Sequence, residues 1–174
     1  LNISRIDHMF LVFIIPLYLH FTIMATGDKK WLPLAKIFYV FAILLVPLTQ
    51  HHLYLAGIKR YYFGFFAISG PIFYIFGFLS TLSVLLSLYI LISNLRTEKI
   101  SIQRTRIKYI LFSFGLAAFV NHFDVIIMNG YETYPVGNFI FIPMCLLGYA
   151  IFKHDIMEWK IFLNNGLVFV ILLL

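Results

Sequence analysis

The sequence has few charged residues and almost no cysteine. Asp, Glu, Lys and Arg make up 11% of its 174 residues, whereas about 25% is usual in soluble globular proteins. The single cysteine, Cys145, lies within an apolar run, which excludes an intramolecular disulfide framework. Instead, the chain has 62% hydrophobic and 19% aromatic residues and a mean hydropathy of +0.95. This composition is typical of a membrane protein.

The motifs of soluble enzymes are also missing. The sequence contains no P-loop, no G-x-S-x-G and no GxGxxG motif. Its closest carboxylate pair, Asp155 and Glu158, fits a solvated helix face better than acid–base catalysis. We therefore expect neither catalysis nor a cofactor within this chain. The net charge of +6 does not predict a nucleic acid partner, because in a membrane protein the distribution of charge among loops matters more than its sum. The expected partner is the lipid bilayer.

Five apolar segments are long enough, or nearly so, to cross a bilayer, which needs roughly 20 residues of helix. They are residues 9–26, 34–55, 72–93, 107–128 and 139–152. A sixth apolar run begins at Gly166 and reaches the last residue, and the chain does not begin with Met, so we expect both ends to be cuts in a longer protein. The predicted fold is all-α: a polytopic transmembrane helical bundle with five complete spans and a truncated sixth.

This division predicts three parts: a transmembrane bundle over residues 1–153, a cytoplasmic joint over 154–165 and the start of a further helix over 166–174. No stretch between the spans is long enough for a soluble domain, so we expect nothing to fold outside the membrane. Pro16, Pro47 and Pro143 lie inside predicted spans and should kink the helices there.

Lys and Arg are unevenly distributed between the two sides of the predicted bundle. Of the 13 such residues, Arg5, Lys59 and Arg60 fall on the side where the chain begins, and the other ten fall on the opposite side. By the positive-inside rule, the side with ten charges is cytoplasmic. The chain is therefore predicted to begin outside and to reach the cytoplasm near Lys153 after five crossings.

Polar side chains inside spans are costly, so each one is a functional hypothesis. Asn121 and Asp124 are three residues apart on one face of the fourth span, and His122 lies about 100° round the helix from Asn121. With polar residues near the outer ends of the second and fifth spans, they predict an outward-facing pocket for a small polar ligand. Asp124 would pair with a cation there, and the imidazoles or Asn121 would donate hydrogen bonds to the ligand. The predicted ligand-binding residues are Gln50, His51, His52, Asn121, His122, Asp124 and Tyr134.

Two other interpretations of these residues stay open. In the first, Asn121 and Asp124 bond to neighbouring helices, as polar residues in membrane bundles commonly do, while the histidines are exposed to water. The second is a metal site, because imidazole and carboxylate are suitable zinc ligands. The residues considered for it are His51, His52, His122, Asp124 and Glu132. Their spacing includes no H-x-x-x-H pair, so we expect no metal.

Two further polar features are interpreted as structural. His20, inside the first span, is expected to be neutral and bonded to a carbonyl, such as one freed by Pro16, rather than to relay protons. Ser80, Ser83 and Ser87 form a stripe of small residues on one face of the third span. The stripe predicts either a packing seam within the bundle or a dimer contact.

Several short motifs follow one another along the chain. They are IPLYLHF at residues 15–21, SGPIFY at 69–74, QRTRIKYILFSFG at 103–115, YPVG at 134–137 after Asp124, and NNGLVF at 164–169. The most specific is the exit from the last span, with Tyr149, Ala150, Ile151, Lys153, Met157 and Glu158. In this order the motifs resemble the N-terminal seven-helix membrane region of bacterial sensor histidine kinases and related multidomain signalling proteins. Asp155, Asn164 and Asn165 depart from the usual basic residues of that family.

The resemblance implies a sensory input module that corresponds to helices three to seven of the seven-helix region. It also implies a bacterial cytoplasmic membrane, a homodimer, and a C-terminal output domain such as a histidine kinase that acts on a response regulator. A small ligand or a membrane stimulus would shift the helix packing, and the shift would pass through the fifth span. The residues predicted to transmit it are Tyr149, Lys153, His154, Glu158 and Trp159.

The alternative class is part of a polytopic transporter or a membrane-embedded enzyme. Transporters tend to have broken helices and to bind their substrates near the bilayer midplane. The polar residues of this sequence collect instead at the predicted outer ends of the spans, which favours the sensory module.

Overall fold

The structure, a computed structural model, describes residues 1–153, which are mostly helical. Five helical segments are long and apolar enough to cross a membrane: Asn2–Thr26, Lys29–Leu48, Phe73–Thr97, Ser101–Met128 and Val136–Lys153. Large apolar side chains also cover their outer surfaces, and Phe78, Phe112 and Phe119 are each more than half exposed. Helices that are apolar all round are typical of membrane spans. The chain is therefore a multi-pass helical protein of membrane type, and the sixth apolar run lies outside the described residues.

The first segment is a helix that is broken in the middle. It consists of α1 (Asn2–Leu11) and α2 (Ile14–Thr26). Pro16 has no N–H to donate to the carbonyl of Val12, and its ring crowds that turn, so the helix opens at Val12 and Phe13. The Phe13 N–H bonds instead to the Phe10 carbonyl at 3.1 Å. The interruption lies about one turn before Pro16, where the sequence predicted a kink, and both of its residues keep right-handed helical dihedral angles. The helix begins well before the predicted start at residue 9.

The second segment is shorter than predicted. A short 3-10 helix (Lys29–Trp31) leads into α3, which spans Leu32–Leu48. At its end the Thr49 hydroxyl donates to the Val46 carbonyl at 2.7 Å, and the chain then turns away from the helix axis. The prediction of a span to residue 55 is therefore wrong. Pro47 lies beside the last residue of α3 and does not interrupt the helix from within.

An antiparallel hairpin, which the sequence did not predict, connects the second and third segments. Its strands are β1 (Leu55–Tyr61) and β2 (Gly64–Ser69). The register pairs Tyr61 with Gly64 across a two-residue turn, and Gly64 has φ +146°, a conformation that favours glycine. The expectation that nothing folds outside the membrane spans is therefore wrong. An isolated two-stranded hairpin is marginally stable, so it needs support from the bundle.

The remaining helices are α4 (Phe73–Thr97), α5 (Ser101–Met128) and α6 (Phe141–Lys153), and a 3-10 helix (Val136–Phe139) precedes α6. Residues 98–100 alone separate α4 from α5, so most of the polar stretch between the third and fourth predicted spans is helical. Pro143 lies in the first turn of α6, where a missing N–H has little effect, and the helix continues past it without the predicted kink.

The helices pack in two apolar clusters. One joins α2, α3 and α4 and includes Leu19, Phe38 and Ile90. The other joins α4 and α5 farther from the hairpin and includes Leu91 and Ile110. The last helix, α6, packs mainly against α5. It is the least buried of the five segments.

The two ends of the bundle differ in structure. We call the end that carries the hairpin the hairpin end. There the Gln50 side-chain amide donates to the Arg5 carbonyl at 3.2 Å, so the start of α1 meets the end of α3. The Tyr61 hydroxyl donates to the Ile127 carbonyl at 2.8 Å, so the hairpin meets the end of α5. The opposite end carries residues 27–31, residues 98–100 and Lys153.

Candidate functional site

A cavity of about 790 Å³ lies among α1, α2, α4 and α5, beside strand β2. It runs from the hairpin end to about the middle of the bundle, because it is lined by the first half of α4 and the second half of α5. The lining residues are Ile3, Ser4, Asp7, His8, Leu11, Ile14, Tyr18, Phe65, Phe66, Ala67, Phe73, Tyr74, Phe76, Gly77, Phe78, Ser80, Thr81, Val84, Ala118, Asn121, His122, Asp124, Val125 and Met128. A mainly apolar cavity with a few polar groups is the usual form of a small-molecule site.

Three of the seven predicted ligand-binding residues line this cavity. They are Asn121, His122 and Asp124, which come together because they lie within one turn of α5. One carboxylate oxygen of Asp124 accepts a hydrogen bond from the backbone N–H of Gly137 at 3.1 Å. A Cβ atom at Gly137 would lie 1.7 Å from the other oxygen, so only glycine permits this approach. Asp124 therefore lines the cavity and also holds the segment that precedes α6.

His122 presents a hydrogen-bond acceptor. Its Nδ1 lies 2.7 Å from the carbonyl oxygen of Ala118, one turn earlier in α5. A carbonyl oxygen only accepts, so Nδ1 carries a proton and donates it in this bond. In the neutral imidazole, Nε2 is then the unprotonated nitrogen. The neutral ring can therefore accept a hydrogen bond from a ligand at Nε2. It could donate one to a ligand, as predicted, only if Nε2 were protonated as well.

The first helix contributes polar lining residues that the sequence analysis missed. They are Ser4, Asp7 and His8 of α1. His8 is buried, and its Nδ1 lies 3.3 Å from the hydroxyl of Tyr54, just before the hairpin. The prediction started the first span at residue 9 because the earlier residues are polar. The signal that could have found them is the helical spacing of Ser4, Asp7, His8 and Leu11 on one face.

The other four predicted ligand-binding residues lie elsewhere. Gln50, His51 and His52 follow the end of α3 at Leu48, and Tyr134 lies between α5 and the 3-10 helix at Val136–Phe139. The side chain of Gln50 bonds to the Thr49 hydroxyl at 3.0 Å in addition to the Arg5 carbonyl. The rings of His51 and His52 contact each other with centroids 4.2 Å apart and planes tilted by 36°, and both residues are exposed. Tyr134 contacts the ring of Phe63 in the hairpin turn, with centroids 6.2 Å apart.

The residues considered for a metal site do not converge. Across residues 1–153, no group of three His, Cys, Asp or Glu side chains is placed to hold a metal ion. His51 and His52 lie in the turn after α3, whereas His122 and Asp124 line the cavity from α5.

Polar contacts between helices also occur at residues other than Asn121 and Asp124. The hydroxyl of Tyr18 donates to the Phe114 carbonyl at 3.1 Å, which joins α2 to α5. Ser83 is buried and donates to the Ile15 carbonyl, which joins α4 to α2, so the serine stripe packs inside the bundle. His20 pairs with the hydroxyl of Tyr39 at 3.1 Å and not with a carbonyl freed by Pro16.

The hairpin is held on the bundle by side chains that reach the end of α5. The ammonium group of Lys59 donates to the Gly130 carbonyl at 2.8 Å, and the Ser69 hydroxyl donates to the Met128 carbonyl at 3.1 Å. Tyr61 is 4% exposed. Burial raises the pKa of the Tyr61 hydroxyl, and the nearby carboxylate of Glu132 raises it further, so the phenol stays a donor. These bonds give β2 a fixed position at the mouth of the cavity.

Two of the residues predicted to transmit a signal belong to the described part of α6. The ring of Tyr149 contacts that of Tyr109 in α5, with centroids 5.8 Å apart. The ammonium group of Lys153 donates to the Tyr149 hydroxyl one turn earlier. His154, Glu158 and Trp159 lie outside the described residues, together with the joint at 154–165 and the apolar run at 166–174.

Comparison of the chain with protein-family models, curated proteins and solved structures gave no match. The resemblance to the membrane region of sensor histidine kinases therefore stays a prediction from the sequence motifs.

Proposed function

We propose that this chain is the membrane-embedded sensory input module of a bacterial signal-transduction protein, such as a sensor histidine kinase. A ligand in the cavity at the hairpin end would change the helix packing, and α6 would carry the change to a cytoplasmic output domain. The observation that carries the proposal is the cavity itself. It is large enough for a small molecule, and polar groups of α1 and α5 line it.

The distribution of charge supports the proposed orientation in the bacterial cytoplasmic membrane. Arg5, Lys59 and Arg60 lie at the hairpin end, whereas Lys29, Lys99 and Lys153 lie at the opposite end. Lys and Arg favour the cytoplasmic side of a membrane. The hairpin end then faces outward, and the part of the cavity that α1 and β2 line lies on the side from which an external ligand arrives.

The contacts of α5 provide a route from the cavity to the cytoplasmic side. The helix lines the cavity with Asn121, His122 and Asp124, and the same Asp124 bonds to Gly137 just before α6. Near the opposite end, Tyr109 of α5 contacts Tyr149 of α6. A ligand shifts a conformational equilibrium only if it binds the two states with different affinity. In this proposal the two states differ in how α5 and α6 pack.

The sparse packing of α6 fits a mobile output helix and a dimer contact. It packs mainly against α5, and Phe141, Met144 and Phe152 are each more than half exposed. Few buried contacts leave a helix free to shift at small cost in free energy. The same exposed face is available to α6 of a second copy, which suits a homodimeric sensor.

The broken first helix favours a second candidate, part of a transporter. The break at Val12 and Phe13 falls near the middle of the bundle, between Leu11 and Ile14, which both line the cavity. Discontinuous helices beside a binding site are a feature of secondary transporters.

The sequence of the gene beyond the codon of Leu174 separates the two candidates. A PAS, histidine-kinase, cyclase or phosphatase domain in the same reading frame would support the sensory module. Further apolar helices followed by a stop codon would contradict it and favour the transporter.

A signalling assay tests the role of the cavity in cells that express the complete gene. We expect His122→Ala and Asp124→Ala to change the response of the output to its stimulus. Glu132→Ala is the matched control, because this carboxylate belongs to the same end of the bundle but not to the cavity lining. If all three variants responded like the parent protein, the cavity would have no role in sensing.

A further inference from the structure

We infer that the cavity binds a protonated amine with an apolar body. The inference rests on the proposed function, since it names the class of ligand for that same site. Three properties of the lining carry it: the sign of its charges, the direction of its hydrogen bonds and its aromatic surface.

The charges that line the cavity are all negative. Asp7 of α1 and Asp124 of α5 both line it, and none of the lining residues in the described part of the chain is Lys or Arg. Asp124 is half-buried, and a charge in a low-dielectric site needs a partner of opposite sign. A cationic ligand supplies that partner and is also attracted by the exposed Asp7, whereas an anionic ligand would be repelled by both carboxylates.

Asp124 and the neutral His122 ring offer hydrogen-bond acceptors to the cavity. The hydroxyl and amide groups of the lining, which can both donate and accept, are those of Ser4, Ser80, Thr81 and Asn121. A carboxylate has about four lone-pair positions, and the Gly137 N–H is the backbone partner of Asp124. His122 uses its Nδ1 proton on the Ala118 carbonyl, so the neutral ring has only an acceptor left, at Nε2. An ammonium group carries donors and no acceptor, which matches the acceptors of Asp124 and His122.

The rest of the lining suits a cation attached to an apolar body. Phe65, Phe73, Phe76 and Tyr18 contribute aromatic rings to the cavity. The face of an aromatic ring attracts a cation, most strongly where water is excluded. The cavity continues from the polar groups at the hairpin end to Val84 and Ala118, where an apolar body would lie.

An ammonium group could come from a free amine or from a lipid headgroup. A phosphatidylethanolamine headgroup also carries a phosphate, which would need a cationic partner, and the lining offers none from Lys or Arg. The charge pattern therefore favours the free amine, and the experiment below separates the two sources.

Binding to the complete 174-residue chain in phosphatidylcholine nanodiscs tests the inference. The probes are radiolabelled 4-phenylbutylamine and 4-phenylbutyrate, which share an apolar body and differ in charge, with empty nanodiscs as the blank. We expect saturable binding of the amine and no binding of the carboxylate above the blank. Equal binding of both probes, or no binding of the amine, would overturn the inference.

Two substitutions locate the binding in the cavity. Asp7→Asn and Asp124→Asn should each weaken amine binding by about tenfold or more, and the asparagine oxygen at position 124 can still accept from Gly137. Glu132→Gln removes the same charge at the same end of the bundle, outside the cavity, and should leave the affinity unchanged. If neither aspartate variant weakened binding, the amine would not be held by these carboxylates.

A third arm identifies the source of the ammonium group. Adding phosphatidylethanolamine to the nanodiscs should leave amine binding unchanged if the natural ligand is a free amine. Competition by this lipid would support recognition of an ammonium group and assign it to a headgroup. Amine binding by a protein whose gene encodes no output domain would support this inference and contradict the proposed function. An output domain in the gene without amine binding by the protein would support the proposed function and overturn this inference.

Discussion

The carboxylate of Asp124 and the backbone N–H of Gly137 form a hydrogen bond of 3.1 Å that joins α5 to the 3-10 helix before α6. This bond couples the wall of the cavity to the helix proposed to carry the signal. Because it involves both a cavity residue and a position that only glycine fits, it can be broken from either side.

Gly137→Ala should break this bond. Its Cβ would lie 1.7 Å from Oδ2 of Asp124, so the carboxylate or the backbone must move. Loss of a hydrogen bond to a charged group costs about 1.5–3 kcal/mol, so we expect the Tm of the protein in nanodiscs to fall by several degrees. Gly148→Ala in α6 is the matched control, because its Cβ would meet nothing within 4 Å. Equal Tm values for the two variants would show that the close contact is absent.

Tyr61→Phe should loosen the hairpin. The variant loses the hydrogen bond from the Tyr61 hydroxyl to the Ile127 carbonyl, and such a bond contributes about 0.5–1.5 kcal/mol. Amide hydrogen exchange in β1 and β2 should become roughly two- to tenfold faster. Tyr62→Phe is the control, since Tyr62 is 78% exposed in the turn. Unchanged exchange in the Tyr61 variant would mean that this bond does not hold the hairpin.

Stability should fall at high pH because two tyrosines outside the spans are buried as phenols. Burial raises the pKa of Tyr54 and Tyr61 above the ordinary value of 10.0. Because the pKa is higher in the folded state, the unfolded chain ionises first as the pH rises. The free energy of unfolding is therefore unchanged below the unfolded-state pKa and falls above it. We expect thermal stability to be level up to about pH 10 and to decrease above it. The decrease should be smaller in Tyr54→Phe and Tyr61→Phe, and an identical decrease would contradict this assignment.

Two neighbouring serines of α4 should respond differently to substitution by alanine. Ser83 donates to the Ile15 carbonyl, whereas the buried hydroxyl of Ser87 has no partner in the described residues. Ser83→Ala should destabilise the bundle by about 0.6 kcal/mol, the average for such bonds in a membrane. Ser87→Ala should be neutral or stabilising, because it removes an unsatisfied polar group. Unfolding in mixed micelles with increasing sodium dodecyl sulfate measures the stability of both variants. A larger loss of stability for Ser87→Ala than for Ser83→Ala would contradict this expectation.

The sequence predicted the spans because their length and hydropathy depend on local composition. The hairpin was missed because its turn, Tyr62 and Phe63 before Gly64, lacks the Asn-Gly or Asp-Gly pair that marks most two-residue turns. Apolar residues such as Leu53 and Leu55 therefore extended the second predicted span into the hairpin. That error placed His51 and His52 beside α5, where the structure does not have them.

The cavity was predicted only in part, because its walls come from segments that are distant in the sequence. Residues close together on one helix, such as Asn121 and Asp124, follow from helical spacing alone. The contribution of α1 depends on a broken helix that continues toward the hairpin end, and the polar residues Asp7 and His8 hid that continuation. Contacts between distant segments, such as His8 with Tyr54, cannot be read from local periodicity.

The central claim is that occupation of the cavity changes the packing of α6 at the opposite end. Ser80→Trp fills the cavity without any ligand, because Ser80 lines it from α4. Leu85→Trp on the exposed side of the same helix is the control, since Leu85 is 58% exposed. Spin labels at Arg96→Cys and Phe152→Cys, in a Cys145→Ser background, report the distance between the ends of α4 and α6. We predict that Ser80→Trp shifts this distance by about 2 Å and that Leu85→Trp does not. The same distance in both variants and in the parent protein would contradict it.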